Sequence, residues 1–180
     1  QAQRAYKLCV VMRYTGLRVS QAMRLLWSDF DLDGLRLSIR PELGKTSQER
    51  LGRIIPISPH LAEEMARWGV REGWIHGQNK AYMPAVSDYL RLAWGESDVD
   101  PSRWRHQSAH AFRRSFTSEL VSRGADRWAV EILCGRSTGV GGDIYTDPRF
   151  IVDKLEHAVS LVTKIGADDQ RVQMIKPGSI

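Results

Sequence analysis

Apolar residues recur at helical spacing along most of this 180-residue chain, while only a few short stretches alternate in the manner of strands. That pattern confines the fold to helices packed around one small sheet. Ala5, Leu8, Cys9 and Met12 repeat at i, i+3, i+4 and i+7 and predict one apolar face of a first helix, which ends at Thr15-Gly16. A second helix is expected from Ser20 to Trp27. Leu35 to Arg40 and Arg53 to Ile57 flank a polar stretch holding Gly44 and Gly52, and predict a hairpin with a long loop. Pro56 has no N–H to donate, so the second of these strands belongs at an edge or ends there.

Further on, Pro59 to Arg71 and Pro84 to Trp94 carry helical patterns, the latter through Val86, Leu90 and Ala93, and Trp74 to His76 reads as a third short strand. The polar stretch 95–107 predicts a loop. Ser108 is a candidate N-cap for a helix in which Phe112, Phe116 and Leu120 step by four to Gly124. A short helix is expected over Asp126 to Leu133. Glycines at 135, 139, 141 and 142 then predict a mobile loop leading to Tyr145. Ile151, Leu155, Ala158 and Val162 stripe a last helix, and the tail beyond Asp168 is weakly patterned. The fold class that follows is α+β, mainly helical, with a small antiparallel sheet.

Charge narrows the partners. The formal net charge is +5, built from 20 Arg and 6 Lys. Arginine is the better fork for phosphate, although G- and C-rich codon usage produces the same excess. Cys9 and Cys134 stand far apart with no CxxC pair, which excludes a zinc knuckle and a disulfide framework. No stretch approaches the ~20 apolar residues of a membrane span, and Leu8 to Met12 is too short for a signal-peptide core, so a cytoplasmic location is expected. There is no initiator Met and a helical pattern is already running at Gln1, which leads us to expect a further domain upstream.

Four separated pieces carry chemistry: Thr15-Gly16-Leu17-Arg18, Gly44-Lys45-Thr46, His110-Ala111-Phe112-Arg113, and Leu133-Cys134-Gly135-Arg136 with Tyr145 nine residues later. In order and spacing they resemble the tyrosine recombinases, over Thr15 to Thr146. The resemblance implies the catalytic-domain fold of that family over residues 1–165, a C-terminal tail over 166–180, and a DNA-binding domain that precedes the chain. It implies a DNA strand-breaking and rejoining enzyme acting through a 3′-phosphotyrosyl bond to Tyr145, with Lys45 as the general acid, no ATP, no metal and no other cofactor. Double-stranded DNA at the nucleoid and self-assembly on it, as a tetramer in the synaptic complex, are the implied partners.

Phosphodiester cleavage gives this set a physical reason. Charge builds on the nonbridging oxygens, and planar forks such as Arg18 and Arg113 stabilise it. His110 and Arg113 are three apart on a helix and share a face. Individually, His110 also fits a histidine bonding its own helix, Arg113 a surface ion pair, Lys45 a solvated turn, and Tyr145 a tyrosine packed at a helix end. A phosphate-binding P-loop is excluded at Lys45 because Ile39 stands where that motif needs glycine. His106 and His110 lack a third ligand, so no metal site is predicted. Arg50, Arg103, Arg105 and Arg114 are candidates for contacts to the DNA backbone, the middle two from a loop with Trp104 that equally fits a solvated stretch.

Two positions depart from the family pattern. Gln21 replaces the acid three residues after Arg18, and Arg136 replaces a histidine and cannot exchange a proton near neutral pH. A DNA-binding module that has lost cleavage, or a type IB topoisomerase or telomere resolvase, therefore stay open beside the recombinase. The apolar stripe of the last helix fits docking on a neighbouring protomer or packing on its own domain.

Overall fold

The computed structural model describes residues 2–45, 50, 52–69, 72–76, 109–136 and 148–165. Helix α1 (Ala2–Thr15) leads through a turn to α2 (Val19–Ala22), a 3-10 turn (Trp27–Asp29), β1 (Phe30–Asp31) and β2 (Arg36–Ile39). A second 3-10 turn (Pro41–Leu43) precedes β3 (Arg53–Pro56) and α3 (Pro59–Arg67). Then come α4 (His110–Ser122), α5 (Arg127–Cys134) and α6 (Pro148–Ser160). The sheet is antiparallel in the order β1-β2-β3, with Leu37 opposite both Phe30 and Ile55. Mainly helical with one small antiparallel sheet is the architecture expected.

Helix α1 runs through the centre. Beyond the expected face of Ala5, Leu8, Cys9 and Met12, Val10 and Val11 are also fully buried, because α4 and α3 pack on other sides of it. Phe116 and Leu120 of α4 are buried against this core, and Phe112 packs at its margin.

The second helix is shorter than predicted. It stops at Ala22 because residues 25–27 bond to a distant segment: the Trp27 N–H reaches the Gly73 carbonyl (2.9 Å), and the Ile75 N–H reaches that of Leu25 (3.2 Å). Asp29 then accepts the Leu26 N–H (2.8 Å) and pairs with Arg40 (2.7 Å), which holds the 3-10 turn. For the same reason Trp74 to His76 is not a strand of the sheet. It makes a single bridge, Trp74 to Leu26, and the third strand is the two-residue β1, too short to show alternation.

Caps account for the remaining boundaries. Ser58 accepts the Leu61 N–H and Pro59 opens α3, which ends at Arg67 rather than Arg71 because Gly69 turns left-handed. Asp126 caps α5 by accepting the Ala129 N–H (3.1 Å), so it precedes the helix. Pro56 closes β3 at the sheet's edge, as its missing donor requires. The Pro84 to Trp94 helix, the 95–107 loop, the Ser108 cap and the glycine stretch after Arg136 lie outside the described residues.

Leu155, Ala158, Val159 and Val162 are buried in the chain's own core, and α6 packs on α5 and β3. Lys154 bonds Asp126 (2.6 Å), the Thr163 N–H bonds Glu119 (3.1 Å) and the Ile165 N–H bonds the Tyr14 hydroxyl (2.9 Å). The stripe expected either to dock on a neighbour or to pack at home is therefore used at home.

Gly16 is the tightest point. It has φ +63°, and a Cβ there would overlap the Phe116 ring. Gly16→Ala is expected to lower the unfolding free energy by about 2–5 kcal/mol, from left-handed strain plus overpacking. Denaturant titration checks this, and an unchanged midpoint would show that the ring yields freely.

Candidate active site

The turn carrying Arg18 is assembled locally. The Thr15 hydroxyl donates to the Val11 carbonyl (2.6 Å) and accepts the Leu17 N–H (3.3 Å), while the Gly16 N–H reaches the Met12 carbonyl (3.0 Å). These bonds close α1, and the left-handed Gly16 swings the chain so that Arg18 stands just ahead of α2. The Arg18 N–H donates to Oε1 of buried Gln21 (3.2 Å). The neutral amide that stands where the family pattern has an acid thus holds the Arg18 backbone.

Helix α4 contributes the second wall. Arg113 is 1% exposed, among the most buried side chains of the domain. Its Nη1 donates to the Gly16 carbonyl (2.9 Å), and its Nη2 is buried with no hydrogen-bond partner among the described residues. Burial lowers its pKa; the Cys134 side chain opposes the shift, and Arg18 and Arg136 add to it. A buried, charged donor left open is costly, and such groups persist where an anion completes them. A surface ion pair, the other reading of Arg113, is excluded by this burial.

His110 begins α4 and is exposed. Desolvation first, then the charges of Arg113, Arg114, Arg136 and Arg18, hold its pKa below the ordinary 6.5. The shared face expected from the three-residue spacing is thereby felt electrostatically.

The third wall is the end of α5. Gly135 is left-handed (φ +65°), its N–H meets the Ile132 carbonyl (2.8 Å), and the Arg136 N–H meets that of Glu131 (2.9 Å). The Arg136 guanidinium donates to both oxygens of Glu131 (3.0 and 3.3 Å).

Sequence reasoning missed two members of this neighbourhood, Glu131 and Arg53. Arg53 is half-buried on β3; its Nη2 donates to the Leu133 carbonyl (3.4 Å) and its buried Nε has no hydrogen-bond partner among the described residues. Burial, then repulsion from Arg113, pushes its pKa down to about 10, still high enough to keep it charged at neutral pH. A signal was available: Arg53 shares strand parity with buried Ile55 and Ile57, so a cation stands at a core-facing register.

Arg18, His110, Arg113 and Arg136 are thus brought together, with Arg53 beside them and exposed Arg114 within electrostatic reach of His110. Lys45 is exposed one residue past Gly44 and is not part of the buried cluster, and Arg50 is exposed as well. Tyr145, Arg103 and Arg105 lie outside the described residues. Chemically, a group of guanidinium side chains from the turn before α2, from α4 and from the end of α5 can bind an anion, and Arg113 is the fork already withdrawn from water.

Among the described residues no helix is long and apolar enough to cross a membrane, and no three His, Cys, Asp or Glu side chains gather in a metal-binding group.

The chain is similar to known proteins in sequence and in fold. Tyrosine recombinase XerC of Rickettsia canadensis (strain McKiel) is 28% identical over 167 residues, covering 87% of this chain and 49% of its own. XerC of Actinobacillus pleuropneumoniae serotype 7 (strain AP76) is 30% identical over 145 residues, covering 76% and 44%. The chain spans about half the length of these curated relatives. Among solved structures, the integrase from mycobacterium phage Brujita superposes with TM-score 0.67 at 19% identity, covering 90% of this chain and 52% of that one. The Tn1549 transposon integrase, solved in complex with transposon right-end DNA, gives 0.55 at 14% identity, covering 84% and 54%. Those two likenesses establish the fold, and the family model described as the phage integrase family matches residues 1–150, so this chain belongs to the phage integrase family.

Proposed function

We propose that the chain is the catalytic domain, over residues 1–165, of a site-specific DNA recombinase or integrase. The observation that carries the reading is Arg113, buried with one donor open, beside Arg18, His110 and Arg136. A backbone phosphate completes that site: the Arg18 and Arg113 forks take its nonbridging oxygens, and neutral His110 and Arg136 add donors around it. The Tyr145 hydroxyl releases its proton to solvent as its oxygen attacks phosphorus, the bond to the 5′ oxygen breaks, and Lys45 supplies the proton that oxygen takes. A 3′-phosphotyrosyl bond forms, and a 5′ hydroxyl from a second strand reverses the step. The diester energy stays in the protein linkage, so no ATP is consumed.

Arg50, Arg103, Arg105 and Arg114 hold the duplex by its phosphates, and copies of the protein assemble on DNA, as a tetramer at synapsis, at the nucleoid in the cytoplasm. Other domains of the full protein would share the clamp, in keeping with relatives about twice as long.

The test is a suicide DNA substrate whose cleaved 5′ end diffuses away. The native chain should leave an SDS-resistant protein–DNA adduct. A gel shift with no adduct at any protein concentration would instead establish a binding module, the outcome that Arg136 in place of a histidine would then explain.

The His110 shift sets the pH dependence. A depressed histidine pKa means that the folded chain binds fewer protons at His110 than the unfolded chain does, so its contribution to stability is intact above about 6.5 and lost as pH falls through the lowered value. In the chain without DNA, the His110 ring followed by NMR should therefore titrate below the ordinary histidine value of 6.5. A His110 titration centred at or above 6.5 in the free chain would contradict its cationic surroundings.

A further inference from the structure

We infer that Arg53 is a positioning residue of this site: from the edge strand β3 it clamps the Gly135 turn and so sets where Arg136 can stand. The inference rests on the proposed function for its consequence in catalysis, and on geometry for the clamp itself.

Three observations carry it. First, the Arg53 guanidinium occupies the space any side chain at position 135 would need. A Cβ built on Gly135 lies within 2.6 Å of three of its atoms, Nη1, Cζ and Nη2, so a side chain there would push the guanidinium aside, while the φ of +65° itself favours glycine. Second, Nη2 donates to the Leu133 carbonyl, one of the acceptors left open at the end of α5. A cation at a helix C-terminus meets the negative end of the dipole, which favours this placement over a neutral donor. Third, the charge is kept in a crowd of like charges, close to Arg113 and Arg18. A group retained against repulsion and burial has a role that an apolar side chain at this core-facing strand position could not supply.

The clamp also joins two parts of the site. Arg53 begins β3, eight residues after Lys45 in the sequence, while Gly135 and Arg136 directly follow α5. The bond between the Arg53 side chain and Leu133 spans 80 residues of sequence. The start of β3 is thereby tied to the end of α5.

Arg53→Met and Arg53→Lys test this in two arms. Amide hydrogen exchange at Gly135 and Arg136 reads the turn without any DNA. Loss of a hydrogen bond from a charged donor should make exchange there roughly 10- to 100-fold faster in Arg53→Met, with α1 and α4 amides unchanged. Arg53→Lys keeps the charge and should recover part of the protection. Single-turnover cleavage of the suicide DNA should slow by a similar factor in Arg53→Met while the affinity for intact duplex is kept. Unchanged exchange at 135 and 136 overturns the clamp, and slower exchange does so equally. Altered exchange with an unchanged cleavage rate, in a native chain that cleaves, overturns the role in the site. If the native chain makes no adduct, the proposed function fails, and the exchange arm still decides the clamp. Should Arg53→Met not fold, a cycle with Gly135→Ala replaces it, with Arg53→Lys as the second background. The penalty of the alanine must shrink there, because its strain is common to both backgrounds and the collision is not.

Discussion

A chain carrying Tyr145→Phe is expected to yield no adduct with suicide DNA at any time or enzyme concentration, and still to shift that DNA on a native gel. Phenylalanine differs from tyrosine by one oxygen, so packing and charge are kept while the proposed nucleophile is removed. An unassisted phenol has a pKa of ~10 and attacks poorly at neutral pH, so its chemistry depends on surrounding cations and a base. Of the four other tyrosines, the two among the described residues are engaged elsewhere: Tyr14 is buried and accepts the Ile165 N–H, and Tyr6 donates to Glu64 (3.0 Å). Tyr145 stands nine residues after Arg136, beyond the turn that α5 ends in. An adduct of undiminished yield from the phenylalanine chain, mapped by peptide mass to another residue, would remove Tyr145 from the mechanism.

Arg113→Met should separate activity from stability. Removing one preorganised donor at a developing oxyanion costs on the order of 10²- to 10³-fold in rate, and Arg113 supplies a whole fork. Cleavage should fall at least that far, and Arg113→Lys should rescue little, because a point charge cannot reproduce the planar geometry that grips two oxygens. Folding should respond differently. The substitution orphans the Gly16 carbonyl, which costs about 1–3 kcal/mol, but it also removes a buried charge whose desolvation costs several kcal/mol and which Arg18 and Arg53 repel. The melting temperature should therefore be no lower than that of the native chain. A large fall in Tm with modest loss of cleavage would make Arg113 a structural residue and sink the site.

How much of this was legible beforehand depends on the reach of the bonds concerned. The end of α1 at Thr15-Gly16 and the glycine stop after α4 at Gly124 were both visible, since each is written by residues within a few positions of one another. The failures fall where a distant partner wins. Residues 25 to 27 have helical pattern and leave the helix for Gly73 and Ile75. Two-residue β1 cannot advertise alternation, and it is found only because β2 lies alongside. Arg53 reads as one arginine among 20 until its strand register is considered.

The sequence by itself determined the succession of helices and the one hairpin, the caps and glycine turns that bound them, and the residue types that an anion site needs, because backbone propensity and i to i+4 bonding act within a turn or two. Tertiary structure decided which cations are shut away together. Arg113 meets Gly16 across 97 residues and Arg53 meets Leu133 across 80, and neither the burial that leaves Arg113 a spare donor nor the mutual repulsion of these guanidinium groups exists until α1, α4, α5 and β3 have closed on one another. Desolvation and Coulomb forces depend on what surrounds a charge in space, and that is a property of the packed domain.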